Sequence, residues 1–322
     1  MISRLDRLFM LLDSSASTVT KKAAASQIGD IQQQHPGELQ TLLTKVQPYL
    51  HNSNWDTRIA AGHAIESIIK NVPSWNPPGQ PLAQDEMKPE VGQIRLVDFS
   101  IQKVMEKGMD LLACEGNQYE VDGKNLNKEE IRQQYLLINK KLGLSSFIQQ
   151  EATFINDKDL IHKFVSPTPS DEWPLTTFCQ RLMNDLFHPV WEVRHGAATA
   201  LREVVKHHGK GAGKATRMTA NQLEEANQIW LEDLTFRLIC VLALDKLGDF
   251  ISDQVVAPVR ETCAQALGLT VGLLRPAPTL AAIQLLLQLL ERPEWEARHG
   301  GLLGLKYCLA VCSVSILFLG LF

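Results

Sequence analysis

One heptapeptide recurs along the chain: Trp55-Asp56-Thr57-Arg58-Ile59-Ala60-Ala61, Trp191-Glu192-Val193-Arg194-His195-Gly196-Ala197 and Trp295-Glu296-Ala297-Arg298-His299-Gly300-Gly301. Repetition of this kind selects a stacked architecture, because each unit is one supersecondary element that buries its apolar face only against its neighbours. With the arginine as register mark, two weaker copies fall in place, Val19-Thr20-Lys21-Lys22-Ala23-Ala24 and Pro258-Val259-Arg260-Glu261-Thr262-Cys263-Ala264. Five copies make an array. The marks are 37 residues apart from Lys21 to Arg58, 136 from Arg58 to Arg194, 66 from Arg194 to Arg260 and 38 from Arg260 to Arg298. The short spacings give the unit, close to the roughly 40-residue two-helix class, and the long ones mean insertions. The expectation is an all-α protein, an α-solenoid of HEAT-type, armadillo-like helix pairs with a long inserted arm.

Within each copy the position three after the mark is small (Ala24, Ala61, Ala197, Cys263, Gly301) and the position seven after it is large (Ile28, Ile65, Leu201, Leu267, Leu305). That is one stripe of a helix, small where a neighbour must approach and large where space between units must be filled. A partner helix precedes each mark, over 3–12, 37–50, 174–187, 229–247 and 279–291. Pro189, Pro258 and Pro293 stand just before the second helices, where a fixed φ and a missing amide donor start a helix without losing an internal bond. No stretch reads as a strand.

The recurring Trp55, Trp191 and Trp295, with Arg58, Arg194, Arg260 and Arg298, read as structural. An acidic residue two before each strong arginine (Asp56, Glu192, Glu296) is positioned to accept its fork along one edge of the stack. His195 and His299 recur at the same place, which suits packing better than acid–base chemistry.

A chain of 322 residues, 45% hydrophobic and 21% charged, can bury a sizeable core, and a net charge of -4 excludes a whole-surface nucleic-acid footprint. Cys114, Cys179, Cys240, Cys263, Cys308 and Cys312 lack any C-x-x-C spacing and read as reduced core residues of an intracellular protein. Arg4, Asp6 and Arg7 interrupt the apolar N-terminus, unlike a signal peptide.

The first insertion opens at the proline-rich break 73–81, continues through a possible helix over 96–112 and a polar stretch over 115–127, and closes a charged helix over 128–142 with Lys140-Lys141-Leu142-Gly143-Leu144. The lysines and glycine make an ordinary helix stop. Leu142, Leu144, Phe147 and Ile148 nevertheless stand apolar beside a polar insertion, and an excursion this long in a compact array is either functional or disordered. The arm is expected to dock on the array or on a partner.

The second insertion centres on a basic Gly-rich loop near 206–228. It fails as a phosphate cradle, since Gly213-Lys214 is followed by Ala215, position 208 is histidine and a helix precedes it. A mobile basic loop is the expectation. His207-His208 lacks a third ligand in sequence, so no metal is assigned. No catalytic arrangement is found.

Beyond Lys306 the chain is free of charge for 16 residues, short of the roughly 20 that span a bilayer. A truncated or alternatively terminated piece of a longer solenoid, with a divergent apolar tail over 311–322, is the reading preferred to an anchor. The array then ends without a polar terminal unit.

Residues 3–9, 54–62, 70–73, 140–144 and 296–304 together resemble the N-terminal HEAT array of the B-TFIID TATA-box-binding-protein-associated factors, the modifier-of-transcription family of SWI/SNF-like ATPases. The resemblance spans about residues 1–310. It implies a nuclear, transcription-regulating scaffold that grips the TATA-box-binding protein with loops at one edge of the array, while an inserted latch covers that partner's DNA-binding face. By region the first insertion looks like the latch, which makes Lys140, Lys141, Leu142, Leu144 and Phe147 the expected partner-binding residues. DNA would be met only through the partner. No cofactor, membrane or small-molecule substrate is implied, and the family's C-terminal ATPase has no counterpart motif in this chain. A generic HEAT adaptor for another protein is the alternative. The domain division expected is 1–75 for the first two repeats, 76–172 for linker and latch, 173–310 for the remaining repeats and 311–322 for the tail.

Overall fold

The computed structural model describes residues 4–13, 17–80, 95–96, 99–108, 171–246, 249–251 and 254–311. Ten of its helices form five pairs: α1 (Arg4–Asp13) with α2 (Thr18–Gln34), α3 (Leu39–Leu50) with α4 (Trp55–Ile69), α6 (Thr176–Asp185) with α7 (Trp191–His208), α8 (Ala220–Leu244) with α9 (Pro258–Val271), and α10 (Pro276–Leu290) with α11 (Trp295–Val311). The eleventh, α5 (Ile101–Gly108), belongs to the first insertion.

The second helices form one continuous row, α2 on α4, α4 on α7, α7 on α9 and α9 on α11. The row closes directly over both insertions, so a unit separated by 136 residues of sequence is an immediate neighbour in space. The small and large stripe supplies this contact: Ala24, Ala61, Ala197 and Cys263 are buried, as are Ile28, Ile65, Leu201 and Leu267. Leu305 of the last unit is only half-buried. At the position two after the register mark the approach is closer still. A Cβ on Gly196 would lie 2.0 Å from the Leu50 carbonyl oxygen, and one on Gly300 would lie 2.0 Å from that of Leu242. Each of these second helices therefore touches the backbone of the preceding unit's first helix, which only glycine allows.

Helix starts follow from their caps. Ser17 caps α2 through its hydroxyl to the Thr20 amide, and Asn54 caps α4 through its amide oxygen to the Thr57 amide. Thr219 and Gln222 form a reciprocal capping box that starts α8 at Ala220, nine residues before the expected start at 229. This helix is buried on every side from Ile229 to Leu244, a pattern without amphipathic period that sequence reading places poorly.

Pro189 and Pro293 stand two residues ahead of Trp191 and Trp295, just before their helices as expected, while Pro258 is itself the first residue of α9. One further expectation is corrected. The chain also contains strands: β1 (Asp249–Ile251) pairs antiparallel with β2 (Gln254–Val256), Phe250 opposite Val255. β-branched residues on either side of a two-residue Ser-Asp connector are a hairpin signal, masked in sequence by the helical text around it.

Cys179, Cys240, Cys263 and Cys308 are buried free thiols, and burial pushes the first three well above the ordinary thiol range. Cys114 and Cys312 lie outside the described residues. Among the described residues no helix is long and apolar enough to cross a membrane; the apolar run over 312–322 is outside them.

Candidate functional site: the repeat edge and the seat of the inserted arm

The register arginines share one local geometry. Arg58 donates from Nη1 to the carbonyls of Asn52 (2.7 Å) and Ser53 (2.8 Å). Arg194 does the same to His188 (2.9 Å) and Pro189 (2.8 Å), and Arg298 to Arg292 (2.8 Å) and Pro293 (2.6 Å). In each case the guanidinium reaches back six and five residues and satisfies the loop carbonyls left over where the first helix ends. The prolines at 189 and 293 contribute acceptors there.

The expected acidic partners are replaced. Asp56, Glu192 and Glu296 stand in the first turns of their helices, where a negative charge suits the helix dipole. Burial pushes the Glu192 carboxyl up, the opposite of what a carboxylate gripping a guanidinium would show. Arg194 instead pairs with Asp245, whose Oδ1 accepts from Nε at 3.0 Å and Nη2 at 2.6 Å. Asp245 follows α8, and its other oxygen lies 3.8 Å from Nε of Arg260. Arg260 passes the ladder on, donating to the Glu296 carbonyl at 3.0 Å and lying over the Trp295 ring at 5.1 Å. Arg194, Asp245 and Arg260 are all fully buried.

At the junction between the second and third pairs the arginine meets aromatic rings and an uncharged imidazole in place of a carboxylate. Arg58 lies over Trp191 at 4.5 Å, and its Nε donates to Nδ1 of His195 at 3.4 Å. His195 stacks on Trp55, ring centroids 4.7 Å apart. Burial, then the Arg58 charge, lowers the His195 pKa to about 3 and keeps the ring a neutral acceptor. The repeat motif is thus consumed in intrachain contacts. The last rung is open among the described residues: Arg298 is exposed, and Trp295 shares a flank with exposed Leu302 and Leu309.

The base of the inserted arm is built into the array. The Gly-rich loop does not behave as a mobile basic loop. Gly209–Gly211 forms a short 3-10 turn, and Nδ2 of buried Asn227 donates to the carbonyls of Gly209 (2.8 Å) and Ala212 (2.9 Å). Gly213 has φ 74°, and a Cβ there would meet the Ala226 carbonyl at 2.8 Å. The glycines serve close packing against α8. On this loop both ends of the first insertion are tied. The departing strap donates from Trp75 Nε1 to the Lys214 carbonyl (2.9 Å) and from the Gln80 amide to the Met218 carbonyl (2.9 Å). The returning end accepts the Thr216 amide on the Asp171 carbonyl (2.7 Å), while the Asp171 carboxylate pairs with Arg217 (2.9 Å). The two insertions therefore form one clasp.

Beyond the strap the arm crosses to the first-helix side of the fourth and fifth pairs. Arg95 grips Glu232 with Nε (3.1 Å) and Nη2 (2.8 Å) and Glu225 with Nη1 (2.9 Å). These bonds raise its pKa, the Glu232 bond most. The Leu96 amide also donates to Glu232, at 3.1 Å. Phe99 meets Phe236 edge to face at 4.3 Å, and α5 buries Ile101 and Met105 against α8 and α10. This contact covers the outer side of α8 and explains its burial all round. Of the expected arm residues, Lys140, Lys141, Leu142, Leu144 and Phe147 lie outside the described residues. Asp245, Arg95 and Glu232 were missed by sequence reading, since their partners are 51 to 137 residues away.

A row of five helix pairs with a clasped, inward-docked insertion defines a HEAT-type helical-repeat scaffold. Comparison with known proteins makes this specific. The chain is 37% identical to human TATA-binding protein-associated factor 172, the match covering 96% of this chain and 23% of that protein. It is 28% identical to the TATA-binding protein-associated factor MOT1 of Saccharomyces cerevisiae, over 96% of this chain and 23% of the relative. It is 24% identical to the TATA-binding protein-associated factor BTAF1 of Arabidopsis thaliana, over 96% and 28%. The chain belongs to the TATA-binding protein-associated factor 172/Mot1 family, and spans about a quarter of the length of these relatives. A solved structure of the Mot1 N-terminal domain in complex with TBP aligns at a TM-score of 0.41 and 18% identity, covering 84% of this chain and 29% of that one. No family model matches.

Proposed function

We propose that this chain is a non-catalytic interaction scaffold that binds the TATA-box-binding protein, acts in the nucleus and reaches DNA only through that partner. The observation that carries the proposal is the 37% identity over 96% of the chain to a protein named for association with the TATA-binding protein. The division of labour in the molecule agrees with it. The register residues spend their hydrogen bonds inside the stack, whereas the two described ends of the insertion are tied to one and the same loop. In this reading Lys140, Lys141, Leu142, Leu144 and Phe147 form a latch that competes with DNA for the partner's concave face. The apolar side chains supply the area and the lysines the charge.

The chain has no G-x-x-x-x-G-K-[ST] run, and the pinned loop over 209–219 has its glycines filled by protein. ATP-dependent removal of the partner from DNA is not assigned to it. The test is a pull-down of the TATA-box-binding protein by the full chain and by a variant in which 109–170 is replaced with a flexible linker, leaving 73–108 in place because Leu96, Ile101 and Met105 are core residues. Binding by both, with DNA displacement by the full chain alone, supports the proposal. Failure of both to bind at micromolar concentration removes it in favour of an adaptor for another protein.

A further inference from the structure

The pairing of α4 with α7 brings together residues that the sequence holds far apart. Glu66 stands on the exposed side of α4. Glu203 and His207 stand one turn apart on the facing side of α7, the spacing that places two side chains on one helix face. One ligand atom from each of the three lies within 4.8 Å of the others. Zinc-type ions hold nitrogen and oxygen ligands tetrahedrally at about 2.0–2.2 Å, so ligands in an occupied site are about 3.5 Å apart. The cluster therefore has to draw in on binding, and exposed His207 is the side chain with room to move.

The cluster is more than a set of surface acids. Glu203 is 6% exposed. Its Oε1 receives Nε (2.9 Å) and Nη2 (2.8 Å) of Arg202. Its buried Oε2 has no hydrogen-bond partner and faces the cluster. The cation nearest to that oxygen is the Lys206 ammonium at 3.5 Å, which also binds Glu66 at 2.8 Å. The lysine side chain is half exposed, so it holds the place as a mobile counter-ion and can swing out. His208, the sequence neighbour of His207, is engaged elsewhere, its Nε2 2.8 Å from the Ile69 carbonyl oxygen.

We propose that Glu66, Glu203 and His207 form a binding site for a divalent transition-metal ion of the zinc type, in competition with the Lys206 ammonium. Imidazole beside carboxylates selects zinc, cobalt or nickel over calcium, which takes oxygen ligands throughout. Bound there, the ion ties the second pair to the third at the junction where the arm leaves the array.

The experiment is titration of the chelator-stripped full chain with Zn²⁺ by calorimetry and with Co²⁺ by visible absorption. One saturable site is expected, accompanied by a rise in the thermal midpoint, since an ion that binds only the folded state stabilises it. Glu66→Gln and His207→Ala each weaken it at least about tenfold. Neither side chain is buried, so both variants keep the fold, and Lys206→Met tightens the site by removing the competing cation. Absence of saturable binding overturns the proposal. So does binding that Glu66→Gln and His207→Ala leave unchanged, which places the ion elsewhere.

Discussion

The junctions on either side of α7 are built on the same motif position and solved with different chemistry. Toward α4, Arg58 meets an aromatic face and a neutral imidazole. Toward α9, Arg194 and Arg260 flank one buried carboxylate, Asp245. Arg58 and Arg194, like Arg298 in the last unit, satisfy the two loop carbonyls behind them, so that bond is the repeat's constant and the lateral partner is its variable. A guanidinium fork can be completed by any acceptor within reach, which is how a solenoid keeps one motif while its neighbours diverge. The two junctions should differ sharply in what breaks them.

The largest effect is expected at the charged junction. Asp245→Ala leaves two buried guanidinium groups short of their shared counter-charge and should cost about 3–5 kcal/mol in urea unfolding. His195→Phe, which keeps the stack on Trp55 but removes the acceptor for Arg58, should cost about 1 kcal/mol. Equal costs would erase the distinction between the junctions. Gly196→Ala forces a Cβ against the Leu50 carbonyl oxygen, 2.0 Å away, and should cost about 1–3 kcal/mol as overpacking at the aromatic junction.

Acid should act on the aromatic junction first. Burial lowers the pKa of His195 to about 3 and that of His188, whose backbone carbonyl accepts from Arg194, to about 4, from an unfolded value of 6.5. Between those limits the unfolded chain binds protons that the folded chain refuses. Stability is therefore intact above pH 6.5 and falls as the pH drops toward 3, by up to about 1.4 kcal/mol per pH unit for each histidine. His195→Phe should remove one histidine's share of that slope in urea titrations between pH 6.5 and 4. An unchanged slope would mean that His195 is protonated in the fold. The smallest effect belongs to Arg217→Ala, since its pair with Asp171 is exposed on both sides; it should change stability by less than about 1 kcal/mol.

The array was legible because its information is local and repeated. Trp191 and Arg194 mark the same helix start as Trp55 and Arg58, and Ala197 and Leu201 mark the same stripe. The rungs between units were not legible, because Asp245 lies after a different helix and nothing in its neighbourhood announces a buried pair. The Gly-rich loop misled for a related reason. Glycine permits motion and close packing alike, and only Asn227 and the Ala226 carbonyl on a distant turn of α8 decide for packing. The arm was half legible: Leu96, Ile101 and Met105 dock as the apolar periodicity allows, while the seat depends on Glu232, 137 residues from Arg95.

Under the proposed function the repeats carry the stack and the insertion carries the partner, which remains a proposal for this chain. It is tested most directly by competition between the full chain and TATA-containing DNA for the TATA-box-binding protein, comparing the native sequence with Leu144→Asp/Phe147→Asp. The expected result is that the native chain displaces the DNA while the double variant, equally stable in urea, displaces it at least about tenfold less effectively, a loss of about 1.4 kcal/mol or more. A double variant that competes as well as the native chain would contradict the account.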